Sequence, residues 1–413
     1  MPNKMNSLKN ITYHTLPSGL RIVHQLSKSH VEYCGVAINV GSRDEAVNQY
    51  GLAHFVEHTI FKGTKHRKSW HIINRMEAIG GELNAYTTKE ETILYSVFPY
   101  GNVRRAIELI SDLVISSQFP TNELNKEREV VADEINSYLD SPSEAVYDDF
   151  EDLIFAESSL GHNILGTVDA ISGFTQDVCL QYLKDYYTAE NMVLFYMGKT
   201  KPDKIFSLAE NNFSALVPKG VFRQRVMPIV QPQFDEIKKI GSHQSHTIIG
   251  AHIPGLYSEM RYPIALFANM LGGPGMNSLL NVALRERRGL VYNVEASTAM
   301  FTDAGAMMIY FGCDPDDLTR CRNIVRQTLD RIIDGSLSVR AIEATKKQYL
   351  GQLAVASDNR EQVALSLGRS MMYFGDIKSP EDIKNQILAI TPDDVRKVAE
   401  MMSADKCSIL TME

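Results

Sequence analysis

The 413-residue sequence predicts an α+β protein of two homologous halves, each an antiparallel β-sheet with helices packed on one face. Strand pairs alternate with long amphipathic helices, such as residues 101–116 and 315–333. A weak internal repeat relates the two halves, and a proline-containing stretch separates them. The chain is also too long for one compact core. We therefore predict domains at 1–217 and 236–413, joined by a linker at 218–235.

The repeat consists of a strand followed by a helix. Residues 33–41 and 247–255 both have the pattern of a strand, and each leads into a helix that begins near a tyrosine, Tyr50 or Tyr262. Such similarity indicates duplication, although weak self-similarity also arises by coincidence.

The helix after Tyr50 contains H-x-x-E-H, the inverse of the common zinc-protease order. His54 and His58 are four residues apart, so they project from one face of a helix and can hold one Zn²⁺. Glu57 shares that face and is placed to act on a water molecule at the metal. An apolar stripe marks the packing side: Leu52, Phe55, Val56 and Thr59. The alternative is a polar helix face, or two unrelated core histidines.

A third ligand is predicted at Glu134, 76 positions after His58, because a catalytic zinc needs three protein ligands and one open position. Glu127, Val130, Val131 and Glu134 fall at i, i+3, i+4 and i+7, and we expect them to share one helix face. Carboxylates in an apolar stripe are costly unless they are paired or bound to metal. A solvated glutamate face is the alternative.

These two segments together resemble the inverzincin zinc metallopeptidases of the pitrilysin/insulinase superfamily. The short chain is most similar to the processing-peptidase branch, typified by the mitochondrial processing peptidase β-type and its bacterial relatives. The resemblance implies a zinc-dependent endopeptidase that hydrolyses extended peptides or unfolded segments, with two halves that close like a clamshell. The resemblance implies that His54, His58 and Glu134 bind the zinc ion. It also implies that Glu57 is the general base and that Glu127 is a supporting carboxylate.

Two further segments carry the resemblance. Residues 80–87 resemble the family's G-G-x-x-N-A-x-T element, which implies that Asn84 and Ala85 lie on a strand to which substrate adds as another strand. From the residues alone, an ordinary hairpin is the simpler interpretation.

Residues 284–292 resemble the family's Arg…Gly-Leu-x-Tyr signature, which implies that Arg285 and Tyr292 bind the substrate backbone and stabilise an oxyanion. A charged helix end is the interpretation without the family. The glycine-rich segment 272–275 resembles the loop that guides substrate in processing peptidases, and an ordinary interhelical loop is the alternative.

The second half retains the scaffold of the repeat without its ligands. Aligning the tyrosines and the later helices puts uncharged residues at the corresponding positions: Leu266, Asn269, Met270, Thr345 and Gln352. Only the first half is therefore predicted to bind zinc.

Composition limits the function classes. A formal net charge of −8 argues against nucleic-acid binding, and no apolar run approaches the length of a membrane span. The N-terminal residues 1–10 show no signal-peptide core, and five scattered cysteines predict no disulfide framework, so we predict a cytoplasmic protein.

The expected cofactor is Zn²⁺, and the expected partners are a peptide substrate and a second copy of the chain. A homodimer is favoured because one chain carries both the zinc ligands and the Arg285/Tyr292 pair. The alternatives are a non-catalytic core or assembly subunit and the catalytic half of a heterodimeric peptidase.

Overall fold

A computed structural model describes residues 10–221 and 224–413, which form two compact units, each built from three chain segments. The first unit contains the described residues up to Ile135, with Asn163–Arg225 and Ser357–Pro380. The second contains Asn136–His162, Val226–Ala356 and Glu381–Glu413. Residues 1–9, part of the segment predicted to lack a targeting signal, and linker residues 222–223 lie outside the described residues.

The strands and helices take the following bounds in chain order. The strands are β1 Ile11–Thr15, β2 Arg21–Leu26, β3 Val31–Ile38, β4 Glu82–Thr87, β5 Thr92–Pro99, β6 Met192–Gly198, β7 Asp235–Lys238, β8 Ser245–Ile253, β9 Val291–Met300, β10 Gly305–Cys313 and β11 Ser408–Met412. The α-helices are α1 Leu52–Thr59, α2 Ser69–Glu77, α3 Val103–Ser116, α4 Thr121–Leu139, α5 Pro142–Ile154, α6 Val168–Ser172, α7 Gln176–Tyr186, α8 Pro202–Phe213, α9 Arg261–Gly272, α10 Leu318–Ile333, α11 Val339–Ala356, α12 Arg360–Phe374, α13 Pro380–Ala389 and α14 Pro392–Met401.

The first unit is built on a six-stranded sheet in the order β1-β2-β6-β3-β5-β4. All its neighbouring pairs are antiparallel except β2 and β6, which run parallel. Every residue of β6 is buried, as expected of an apolar strand in the middle of a sheet that is covered on both faces. β4 is at the edge of this sheet.

The second unit is built on a five-stranded sheet in the order β7-β11-β8-β10-β9. Only β7 and β11 pair in parallel. One face packs against helices that include α9, α10 and α14.

Each sheet has a second covered face, and the helix that covers it comes from the other half of the sequence. In the first unit α12 packs on β2, β3 and β6, and Gly368 allows the close approach, since a Cβ there would lie 2.7 Å from the Phe195 ring. In the second unit α5 packs on β8, β10 and β11 through side chains such as Phe150. The predicted ranges 1–217 and 236–413 are contiguous, whereas each compact unit includes one helical segment from the other range. These segments contain α12 in the first unit and α5 in the second.

The predicted α+β class is confirmed, as are the amphipathic helices, which span 103–116 and 318–333. The structure adds two features to the predicted layout of antiparallel sheets with helices on one face. Each sheet contains one parallel pair, and one helix packs on its second face. Among the described residues, no helix has the length and hydropathy needed to cross a membrane.

Candidate metal centre and active site

The first two predicted ligands, His54 and His58, lie on α1, a helix of eight residues. Its predicted packing side is buried, as the stripe requires: Leu52, Phe55, Val56 and Thr59. His54 and His58 project together from α1, with ring centroids 4.5 Å apart. A 3₁₀ turn and then Gly63, at a φ of 156°, follow α1, so the chain leaves the helix there.

The third predicted ligand, Glu134, lies on α4, the longest helix of the chain's described part. The buried stripe of α4 consists of Leu124, Glu127, Val131 and Ile135. The expectation that Val130 shares this face is wrong, because its side chain is 51% exposed. At about 100° per residue, Val130 lies roughly 100° from the centre of the stripe, whereas Glu134 lies at its margin. Glu134 is accordingly exposed at its side chain yet still adjacent to α1.

His54, His58 and Glu134 come together as predicted. One ligand atom from each lies within 4.8 Å of the others, and no other cluster of three metal-ligating side chains with this spacing occurs in residues 10–221 and 224–413. Glu134 Oε2 is 3.3 Å from His58 Nε2 and 3.8 Å from His54 Nε2. Ligands about 2.0–2.1 Å from a tetrahedral zinc would be roughly 3.3 Å apart. The spacing and the donor types therefore fit Zn²⁺.

The protonation of the two histidines differs. Burial, together with the charge of His58, lowers the pKa of His54 to about 4, so its imidazole is neutral and able to ligate. Burial alone would lower the pKa of His58, but the hydrogen bond with Glu127 and the charges of Glu134 and Glu57 raise it above its usual value. A metal ion must displace that proton, so metal binding releases protons near neutral pH.

Glu127 supports the site from behind His58. Its Oε1 is 3.1 Å from His58 Nδ1, and its Oε2 is 2.6 Å from the ammonium of Lys62. With the proton on Nδ1 donated to Glu127, the lone pair of Nε2 faces Glu134 and the metal position. Burial opposes ionisation of Glu127, but the hydrogen bonds from His58 and Lys62 outweigh it and lower its pKa. Glu127 is therefore an anionic orienting group for His58.

Glu57, the predicted general base, is half-buried beside the two histidines. Burial raises its pKa above the usual range, although hydrogen bonds from Thr87, through its hydroxyl and its backbone amide, oppose the rise. A carboxylate with a raised pKa accepts a proton near neutral pH more readily than an ordinary glutamate. Thr87 is the last residue of β4, so that strand positions the base.

A cleft of about 340 Å³ opens beside these residues within the first unit. Glu57, His58 and Glu127 form one wall of it, and Asn84 and Ala85 of β4 form another. Phe61, Ile73 and Leu83 supply apolar lining. The predicted strand is thus an edge strand that borders the metal ligands, with a side open to pairing with an extended chain.

Arg285 and Tyr292 lie in the second compact unit. Arg285 is on a π-helical turn, 281–286, and Tyr292 is the second residue of the edge strand β9. The guanidinium lies 5.9 Å from the Tyr292 ring centroid, and Tyr292 is 84% exposed. The two donors are therefore adjacent to each other and accessible to solvent.

In the second repeat, α9 and α11 correspond to α1 and α4. They contact each other through uncharged side chains. Asn269 of α9 donates a hydrogen bond to Gln352 of α11 at 2.7 Å, at the positions aligned with Glu57 and Glu134. Leu266 and Met270, aligned with the two histidines, are buried. A neutral amide pair and apolar packing take the place of the metal ligands.

Sequence reasoning missed three residues that support the site. Lys62 pairs with Glu127, Thr87 holds Glu57, and Glu45 binds the N-terminus of α1. Lys62 lies four residues after His58, on the turn that continues α1. This spacing already indicates that Lys62 lies close to His58. Thr87 is the threonine of the G-G-x-x-N-A-x-T element, but the element does not indicate that it bonds to Glu57. The contact of Glu45 depends on how the loop before α1 folds, and no local pattern indicates it.

Comparison with known families assigns both halves of the chain. A model described as "Insulinase (Peptidase family M16)" matches residues 21–168, and one described as "Peptidase M16 inactive domain" matches residues 173–349. The second description agrees with the second repeat, whose equivalent positions carry no metal ligands.

Relatives of similar length match over most of the chain. An uncharacterized zinc protease of Streptomyces coelicolor is 31% identical over 93% of this chain and 85% of its own length. The uncharacterized zinc protease YmxG of Bacillus subtilis is 29% identical over 95% of each chain.

Two solved structures share the fold. A peptidase M16 inactive domain from Pseudomonas fluorescens superposes with a TM-score of 0.91 at 16% identity, covering 98% of this chain and 97% of that one. A protease from Helicobacter pylori superposes with a TM-score of 0.89 at 21% identity, covering 98% and 99%.

Proposed function

Since the chain belongs to the insulinase family, peptidase family M16, we propose that it is a zinc-dependent endopeptidase that cleaves extended peptides or unfolded segments. The observation that carries the proposal is the convergence of the imidazoles of His54 and His58 with the carboxylate of Glu134, next to a cleft lined by the half-buried Glu57. Two relatives that are 31% and 29% identical to this chain are named as uncharacterized zinc proteases.

The ligand set and the base divide the chemistry between them. His54, His58 and Glu134 would hold zinc, which supplies a Lewis acid that activates water near neutral pH. Glu57 takes the proton from the attacking water and delivers it to the leaving amine. Thr87 donates hydrogen bonds to the carboxylate of Glu57 and so restricts its orientation.

Substrate binding follows from the edge strand. An extended peptide that adds to β4 makes backbone hydrogen bonds, which are the same for any sequence, and its side chains then meet the cleft lined by Asn84 and Ala85. Arg285 and Tyr292 are proposed to bind substrate carbonyl groups and the developing oxyanion. This mode of binding requires an extended chain, which folded proteins seldom present.

We test the proposal with Glu57→Gln. The variant keeps the shape of the side chain and removes the base, so zinc content should match the wild type while hydrolysis of a mixed peptide library falls at least about 100-fold. Glu129→Gln, on the exposed side of α4, is the matched control and should cleave at the wild-type rate. A Glu57→Gln protein that retains a tenth of the wild-type rate would assign the base to another residue.

We further propose that the active form is a homodimer, because a single chain carries both the metal ligands and the Arg285/Tyr292 pair. Light scattering on the purified chain, followed by peptide assays on the separated species, tests this. Cleavage that appears only after a second protein is added would identify half of a heterodimer. A chain that binds no zinc and cleaves nothing would be a non-catalytic subunit.

A further inference from the structure

The N-terminus of α1 is capped by the carboxyl group of Glu45, which lies six residues before Gly51 in the sequence. α1 begins after Gly51, which has a φ of 96° and no side chain to accept hydrogen bonds from the first turn. Glu45 takes this role: Oε2 accepts from the Gly51 amide at 2.9 Å, and Oε1 accepts from the Ala53 amide at 2.6 Å. Helix N-termini leave amides without intrahelical partners, and a carboxyl group there also interacts favourably with the helix dipole.

The capped turn is the one that carries the first metal ligand. His54 directly follows Ala53 and is the third residue of α1. A helix of eight residues is too short to be stable by itself, so its position depends on its contacts. A shift of the first turn would move His54 relative to Glu134, which is on a different helix.

The residues before Glu45 are held in a buried network of charges within the first unit. The 3₁₀ turn Ser42–Asp44 docks on the turn between β4 and β5, where Arg43 pairs with Glu90 at 2.5 Å. Arg225 bonds to Asp44 at 2.7 Å and to the Glu90 carbonyl at 3.0 Å. These contacts fix the backbone from which the Glu45 side chain reaches α1.

The burial of Glu45 sets this contact apart from an ordinary cap. Only 7% of the residue is exposed, and burial raises its pKa to about 8 despite the two amide hydrogen bonds. No side chain at Gly51 could take over this role, because its φ is 96° and a Cβ there would lie 2.7 Å from the Leu165 carbonyl oxygen. The Glu45 carboxyl group also ties α1 to the charged network.

We propose that Glu45 is a positioning residue of the metal centre, which holds the first turn of α1 where His54 reaches the ion. The inference rests on the zinc site of the proposed function. It does not require Glu45 to contact the ion or the substrate.

The test measures metal binding and geometry directly. Glu45→Gln replaces one acceptor with a donor, and Glu45→Asp keeps the charge but shortens the side chain by one methylene. The affinity for zinc is measured by competition with a chelator, and the ligand geometry by the visible absorption spectrum of the Co²⁺-substituted protein. Both variants should weaken zinc binding by about tenfold, as losing support behind a metal ligand does, and should change the Co²⁺ spectrum.

Glu32→Gln is the control for general destabilisation. Glu32 is fully buried and accepts hydrogen bonds from Tyr196, Thr200 and two further backbone amides, none of them on α1 or α4. Its variant should lose stability but keep the wild-type zinc affinity and Co²⁺ spectrum.

Three results would overturn the inference: wild-type affinity and spectrum in both Glu45 variants, equal changes in Glu32→Gln, or a wild-type protein that binds neither metal. Metal binding by a wild-type protein that hydrolyses no peptide would instead reject the proposed activity. The positioning role would then still be decided by the Co²⁺ spectra.

Discussion

Replacing Glu127 by glutamine should weaken zinc binding without removing a ligand. Glu127 is 6% exposed and bonds to His58 Nδ1 at 3.1 Å and to Lys62 Nζ at 2.6 Å. Nδ1 of His58 and the ammonium of Lys62 both donate to Glu127 when zinc is bound at Nε2 of His58. Glutamine has one acceptor oxygen and one amino group, so at least one of the two donors would face another donor.

The size of the effect follows from these contacts. A hydrogen bond to a charged group contributes about 1.5–3 kcal/mol, and loss of a partner behind a metal-bound histidine typically costs 10–100-fold in metal affinity. That range corresponds to about 1.4–2.7 kcal/mol. The Lys62 ammonium, without its counter-charge, would also repel a dication, which acts in the same direction. We expect the Kd for zinc to rise 10–100-fold in Glu127→Gln.

Competition with a chromophoric chelator at constant pH measures the Kd. Glu129→Gln has the same change of charge on the same helix but on its exposed side, and its Kd should equal that of the wild type. Adding Lys62→Met to Glu127→Gln should recover part of the affinity, since it removes the repulsion. A Kd for Glu127→Gln within about threefold of the wild-type value would refute the orienting role.

Two further predictions concern the second unit and the packing between helix and sheet. Tyr292→Phe should lower kcat on the order of 100-fold or more while zinc content stays unchanged, as measured by steady-state kinetics and metal analysis; a wild-type kcat would remove Tyr292 from the reaction. Gly368→Ala should destabilise the protein by about 1–3 kcal/mol in urea unfolding, because the added Cβ meets Phe195 at 2.7 Å. Gly351→Ala in α11 is the control, because a Cβ at this position would have no atom within 4 Å, and it should stabilise the protein by up to about 1 kcal/mol. Equal effects of the two substitutions on unfolding would argue against the packing of α12 on the first sheet.

The local parts of the site could be predicted from the sequence. Spacing alone determines that His54 and His58 share a face of α1, and the apolar stripe determines which face packs. The same argument placed Glu127 in a buried stripe but failed for Val130. Four positions at i, i+3, i+4 and i+7 span a wide arc, and the neighbours Leu124 and Ile135 decide where its buried centre lies.

The long-range parts could not be predicted, because nothing in a helix sequence says which sheet it covers. α12 belongs to the second half of the sequence and packs on the first sheet, and α5 belongs to the first half and packs on the second. The contacts of Glu45 with Gly51 and Ala53 span only 6 and 8 residues, but they depend on how the loop before α1 folds, which no local pattern indicates. The sequence contains the residues for these contacts, but their partners are set by tertiary packing.

The central claim is that one zinc ion is held by His54, His58 and Glu134, and metal analysis of the wild type and of His58→Ala tests it most directly. The wild type should contain one zinc per chain and cleave peptides, and His58→Ala should lose zinc and activity together. His71→Ala, at an exposed histidine of α2, should retain both. Near-full zinc occupancy in His58→Ala would contradict the assignment of the metal centre.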